Sequence, residues 1–199
     1  GQTYRHFTGA VTATSGDQII NVPARVKSMK SIFFSSQSAN GVAQSRYNIS
    51  TGGNMKLNEY QLKIGSVVYP PTPVRCNFAD GAVANVVGNR AEPLMELAKA
   101  FGSVGGTKGM GRLGQVCYGR TENGQVGSGE ALSLTPFGLD LEAFQRVAIE
   151  SGVNTADRSL PISLILNFAQ NPTATNVDVY VLADALFYIN ADGSMSVSV

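Results

Sequence analysis

The segment from Leu160 to Val199 constrains the fold more than any other. Leu160, Ile162, Leu164, Leu166 and Phe168 alternate with Pro161, Ser163, Ile165, Asn167 and Ala169. Successive side chains of a β-strand point to opposite faces, so this period of two predicts a strand with one strongly apolar face. Gln170-Asn171-Pro172-Thr173 is turn-forming. The same parity resumes in Val177, Val179, Val181, Ala183, Ala185, Phe187 and Ile189, against a more polar set that includes Asp178, Tyr180 and Asp184. A strand that long would span roughly 40 Å at about 3.3 Å per residue and exceeds the usual ~5–6 residues. A bend or bulge is therefore expected near Ala183-Asp184. Asp192-Gly193 supplies backbone with φ > 0, a hairpin signal, and Met195, Val197 and Val199 alternate with serines in the return strand. The expected core is Leu160, Ile162, Leu164, Leu166, Val177, Val179, Val181, Phe187 and Ile189.

The remaining chain reads as further strands joined by long loops. Tyr4 to Val11 is a weak strand candidate. Gly16-Asp17 marks a turn, and Ile20 and Val22 begin a strand that Pro23 interrupts. Val26 to Ser36 is a better strand, with Lys27 and Lys30 on opposite faces. Gln37 to Gly53 is polar and predicts an exposed loop. Asn58 to Tyr69 alternates as one strand, which Pro70, Pro71 and Pro73 should end because each lacks the N–H that a ladder needs. Glu92 to Phe101 predicts one helix, with Leu94, Leu97, Ala98 and Phe101 on one face, Pro93 in the first turn and Gly102 closing the end. Gly102 to Gly129 holds ten of the 22 glycines and predicts a long, pliable excursion. Phe137, Leu139 and Leu141 suit a short strand, and Leu141, Phe144 and Ala148 suit a helical turn. The sum is an all-β chain: an antiparallel sandwich of roughly eight strands with one short helix in a loop, which a jelly roll fits.

A chain of 199 residues predicts one domain, residues 1–199. Charged residues make up 15% and the net charge is +1, which argues against a nucleic-acid binder held by a basic face. No run of eighteen apolar residues predicts a transmembrane segment. The chain starts at Gly1 rather than Met, as a processed product or a piece of a longer protein would. Cys76 and Cys117 are expected as free thiols, since a small secreted scaffold usually carries more cysteines.

No pattern carries catalysis. Gly109-Met110-Gly111-Arg112-Leu113-Gly114 matches GxGxxG, but a dinucleotide site needs a strand before it and a helix after it, and neither flank fits. Gly106-Thr107-Lys108 lacks the residue order of a phosphate loop. His6 is the only histidine and reads as a surface or packing residue. Asp140 and Glu142 suit either a carboxylate pair or a solvated turn. Asp178 and Asp184 read as facing solvent or a partner. Asn48-Ile49-Ser50 is a glycosylation sequon that matters only in a secreted chain. The expectation is no catalytic, cofactor-binding or metal residues, no cofactor and no enzyme activity.

Four stretches in order carry a resemblance: Arg25 to Phe34; Tyr60 to Ser66 leading into Tyr69-Pro70-Pro71-Thr72-Pro73; Phe137 to Glu142 with Ser151-Gly152-Val153-Asn154-Thr155; and Asp184 to Val199. Together they resemble the C-terminal jelly roll of double jelly-roll, hexon-like major capsid proteins of tailless double-stranded DNA viruses and Polinton-type elements. The resemblance implies two rolls per chain and three chains in a pseudo-hexagonal capsomer that tiles an icosahedral shell. It implies self-association into homotrimers, contacts with neighbouring capsomers and minor capsid proteins, and a place in the virion after assembly inside the host cell. It implies no direct sequence-specific nucleic acid binding. This chain has the length of one roll, so it would be the second roll of a longer protein or a single-roll relative. Gly102 to Gly129 would then lie at subunit contacts or a capsomer surface.

Two other classes compete. A receptor- or carbohydrate-binding sandwich, spike or lectin-like, would use Tyr4, Tyr47, Tyr60 or Tyr118 to stack on a ligand. An enzyme on a cupin-like roll would need a histidine-rich metal site that one histidine does not supply.

Overall fold

The computed structural model describes residues 1–38, 55–76, 91–102, 136–142, 151–168 and 175–199. In chain order the strands are Gln2–Val11 (β1), Gly16–Asn21 (β2), Met29–Ser38 (β3), Leu57–Ile64 (β4), Val67–Arg75 (β5), Phe137–Asp140 (β6), Ile162–Phe168 (β7), Thr175–Asp184 (β8), Leu186–Ile189 (β9) and Met195–Ser198 (β10). One helix, Ala91–Ala100 (α1), lies between β5 and β6.

Eight strands form two four-stranded antiparallel sheets, ordered β1-β8-β3-β6 and β2-β7-β4-β5. The pairings are nested: β1 with β8, β2 with β7, β3 with β6, β4 with β5. That is the wrapping of a long four-pair hairpin into two facing sheets, which defines a jelly roll. β9 and β10 stand apart as a two-stranded ribbon.

Alternation in the sequence becomes alternation in burial. In β7, Ile162, Leu164, Leu166 and Phe168 are buried while Ser163, Ile165 and Asn167 are half-buried. Val177, Val179, Val181 and Ala183 do the same in β8. Their facing partners include Ile32 and Phe34 of β3, Tyr60 and Leu62 of β4, and Phe137 and Leu139 of β6. An aromatic trio closes the centre: Phe34 stacks on Phe137 at 4.9 Å, and Tyr60 meets both edge-on. The Tyr60 hydroxyl donates to the Gly138 carbonyl at 3.2 Å, so this buried tyrosine leaves no polar atom stranded.

Helix α1 covers the short β6. Pro93, Leu94, Leu97 and Ala100 are its buried residues. Phe101, expected on the buried face, is 45% exposed but packs its ring on Phe33 at 4.7 Å. Gly102, at φ 63°, donates to the Lys99 carbonyl and closes the helix as expected.

Several expectations are corrected. Asn58 to Tyr69 is not one strand but a hairpin that turns at Gly65-Ser66. The prolines do not end the second arm. Among the described residues β5 is an edge strand, a position where Pro70, Pro71 and Pro73, which lack a backbone donor, are compatible with the ladder. The ladder shifts register there, and Gln61 donates to the Pro70 carbonyl at 2.7 Å, taking up an acceptor that the shift frees. The strand predicted from Val26 starts at Met29 and runs through Gln37 and Ser38, the first two residues of the expected loop, whose remainder lies outside the described residues. The bend near Ala183-Asp184 falls where β8 gives way to β9, at Ala185. Phe187 and Ile189 are not core: they are 54% and 80% exposed. Asp184 and Ala185 are both buried, which breaks the parity, and among the described residues β9 pairs with β10 and not with either sheet of the roll. Leu160 is half-buried beside the Gly65 turn.

Candidate functional site

Three features of the described residues carry unusual chemistry or exposure. The first is a charged cluster at the edge of the roll. Lys30 of β3 places Nζ 2.5 Å from Glu142 Oε1 and 3.6 Å from Asp184 Oδ1. Ser151 Oγ donates to Glu142 Oε1 at 3.0 Å, and Ser28 Oγ donates to Asp184 Oδ2 at 2.8 Å. Asp184 is buried, so the expectation that it faces solvent or a partner is overturned: the carboxylate turns inward because Lys30 and Ser28 satisfy it there. Burial pulls the Lys30 ammonium down, but the hydrogen bond and charge of Glu142, then Asp184, outweigh it and hold the group above its ordinary value. Lys30 therefore stays protonated and is a structural cation, not a nucleophile. Asp140 and Glu142 are not a bare carboxylate pair, since Asp140 Oδ1 accepts the Glu142 N–H at 3.1 Å and Glu142 turns to Lys30. A cavity of about 270 Å³ opens beside this cluster, lined by Gln2, Lys30, Ser31, Phe101, Glu142 and Leu182 among others.

The second feature lies on the outer face of the β1–β8 pair. His6 stacks on Tyr180 at 4.7 Å, and His6 Nε2 lies 3.0 Å from Asp178 Oδ1, which also accepts from Thr8 Oγ1 at 3.0 Å. His6 is thus the surface residue expected. Tyr4, on the same face, is 60% exposed. Of the tyrosines suggested for ligand stacking, Tyr60 is ruled out because it is buried, and Tyr47 and Tyr118 lie outside the described residues.

The third feature is the β9–β10 ribbon. Phe187 opposes Val197, and Ile189 opposes Met195. Directly opposed residues, and residues two apart on a strand, share a face. One face of the ribbon is therefore Phe187, Ile189, Met195 and Val197, exposed by 54%, 80%, 66% and 54%. The turn is well built. Asn190 N–H donates to the Ser194 carbonyl, Gly193 takes φ 81°, and Asp192 Oδ1 accepts from Ser194 N–H and Oγ at 2.9 and 2.7 Å. Those bonds, the hydroxyl's first, hold the Asp192 carboxyl below its ordinary value. The base is anchored too: Ala185 N–H donates to the Gly1 carbonyl, Lys27 Nζ to Ser198 Oγ at 3.0 Å, and Val199 packs against the core. Sequence parity assigned Phe187 and Ile189 to the core. The missed signal was the small residue Ala185, where strand and parity both break.

No group of three or more histidine, cysteine, aspartate or glutamate side chains among the described residues could hold a metal. No helix there is long and apolar enough to cross a membrane. Cys76 is a free, buried thiol; burial, then the charges of Glu92 and Glu59, pushes it well above its ordinary range. Cys117, the GxGxxG-like run Gly109–Gly114, Asn48 and most of Gly102 to Gly129 lie outside the described residues.

The roll with its nested pairing and its apolar ribbon defines the class: an all-β jelly roll similar to those of viral capsid proteins. Among solved structures, the chain is similar to a crystal structure of PBCV-1 VP54 fitted into a cryo-EM reconstruction of the virophage Sputnik, at TM-score 0.55 and 10% identity, covering 100% of this chain and 50% of that one. It is also similar to a quasi-atomic model of the PBCV-1 virus capsid, at TM-score 0.50 and 7% identity, with the same coverage. The chain thus spans about half the length of the solved chains it matches. At these identities the likeness shows the fold. No family model matches the sequence, and no curated protein matches it.

Proposed function

We propose that this chain is a viral capsid structural protein whose residues 1–199 form one jelly roll, either the second roll of a two-roll chain or a single-roll relative. Its role is self-association into homotrimeric capsomers that tile an icosahedral shell, within the virion. The observation that carries this reading is the likeness of the whole chain to half of each of two capsid chains. Two further observations support it. The Lys30–Glu142–Asp184 cluster holds its charges against one another within the roll. The exposed apolar ribbon is of the kind that assembly proteins bury against neighbours. Closed trimers use heterologous contacts, one patch meeting a different patch on the next subunit. A net charge of +1 leaves little self-repulsion to oppose them.

Sedimentation velocity on the complete encoded protein tests the reading. A stable trimer is expected, and a strict monomer at all concentrations would count against it. The exposed Tyr4 beside the His6–Tyr180 stack favours a second reading, a carbohydrate- or receptor-binding module. A glycan array with specific hits lost in Tyr4→Ala would promote that reading instead.

A further inference from the structure

We infer that the β9–β10 ribbon is a self-association element: its Phe187, Ile189, Met195 and Val197 face docks against a second copy of this chain. The roll guards its own edge strands. β5 carries three prolines and a register shift, β1 carries Arg5 and His6, and β2 carries Asp17. Prolines, charges and irregular ladders at an edge are devices that block pairing with other chains. The ribbon has none of them. Residues 186–199 contain no proline, lysine, arginine, histidine or glutamate, and the one charge, Asp192, sits in the turn. Each ribbon strand also has one unpaired edge among the described residues. An isolated two-stranded hairpin is only marginally stable in water. This one is nevertheless held by a bonded turn and an anchored base while its apolar face stays largely exposed, with the Phe187 ring alone lying against Gly1 among the described residues.

Charge and area choose the occupant. A lipid surface that recruits a ribbon does so with lysine and arginine around the apolar face; here the face has no cation and an acidic tip. A second copy fits because two nearly uncharged faces meet without repulsion. The four side chains, half to four-fifths exposed, present on the order of 400 Å², the size at which an apolar patch marks a contact site. That is about half of the ~800 Å² that each partner gives to a standard interface. The ribbon alone therefore makes a weak contact that becomes strong when repeated around an assembly. The identity of the occupant rests on the capsid reading; the existence of a docking face rests on exposure and pattern.

The test is sedimentation velocity of the 199-residue chain from about 1 μM to about 1 mM, beside Ile189→Ser/Val197→Ser and a control, Ile19→Ser, that removes another exposed isoleucine, 60% exposed, from β2. The expected result is concentration-dependent association of the parent and the control, weakened at least about tenfold in the double variant, with melting temperatures unchanged. Should the double variant misfold, Ile189→Lys replaces it, at a position 80% exposed. Association equal in parent and double variant overturns the inference but leaves the capsid reading intact, since another surface then does the work. A parent that stays monomeric throughout also overturns it, while the capsid reading is judged separately by particles of the complete protein. Flotation of the parent with phosphatidylcholine vesicles, lost in the double variant, overturns it by making lipid the occupant.

Discussion

Thr155 joins two stretches of chain that are far apart in sequence. Its backbone N–H donates to the Val26 carbonyl at 2.9 Å, and its hydroxyl accepts the Val26 N–H at 3.2 Å while facing the Ala24 carbonyl at 3.1 Å. Replacing Thr155 with valine keeps the shape but leaves a buried N–H unpaired. The variant should lose about 1–3 kcal/mol of stability, read by urea unfolding, and an unchanged midpoint would show that the hydroxyl is dispensable. Three residues earlier, a Cβ on Gly152 would lie 2.3 Å from the Met29 carbonyl oxygen, so only glycine fits beside the Met29–Val153 bridge. In the sequence, Ser151-Gly152 reads as a stop to the segment before it, and Val153 to Thr155 is marked only by the likeness to capsid rolls. No local pattern marks the need for a glycine and a hydroxyl there, because that need is set by residues more than a hundred positions away. Lys30 was legible as an imperfection in the alternation of its strand, but not as a buried cation. Because its folded value lies above the ordinary 10.5, its contribution is complete below about pH 10.5 and is lost as pH rises through the folded value. The melting temperature of the parent should fall in that alkaline window. Lys30→Met should be less stable by roughly 3–5 kcal/mol at neutral pH and lack that alkaline fall; a parallel alkaline decline in both proteins would exclude the cluster as its cause.

At the scale of elements, β7 was the most legible and β9 the least. The leucine–isoleucine alternation of β7 sits in the centre of its sheet, between β2 and β4, where both the pattern and the environment have period two. Leu164 is fully buried there. Leu164→Ala should cost about 2–5 kcal/mol through lost burial and the cavity left behind, and a melting curve that does not move would mean that the strand presents its other face. β9 continues the same parity in sequence, yet leaves the roll at Ala185. A period-two pattern states which residues share a face; it does not state what that face meets. The β4–β5 hairpin shows the complementary failure. Proline stops a central strand, but at an edge it is compatible with the strand and protects it. Whether a strand is central or at an edge is a property of the sheet, not of the segment.

At the scale of the molecule, the nested pairing of eight strands could not be read from spacing, since any antiparallel sandwich shares the same alternation. What the sequence did hold was the rough count of eight strands in the roll and the helix that lies between β5 and β6. The exposed Phe187 and Ile189 were misread as core for a physical reason: an apolar face that a second chain would bury has the same composition as one buried by the chain itself. Core and contact differ only in what supplies the burial, and the fold of one chain decides which is which. The measurement that bears most directly on the capsid reading is electron microscopy of the complete encoded protein after expression and concentration. The account predicts trimeric capsomers of pseudo-hexagonal outline that assemble into shells or sheets. A protein that stays monomeric, with no capsomers or particles under any condition, would contradict it.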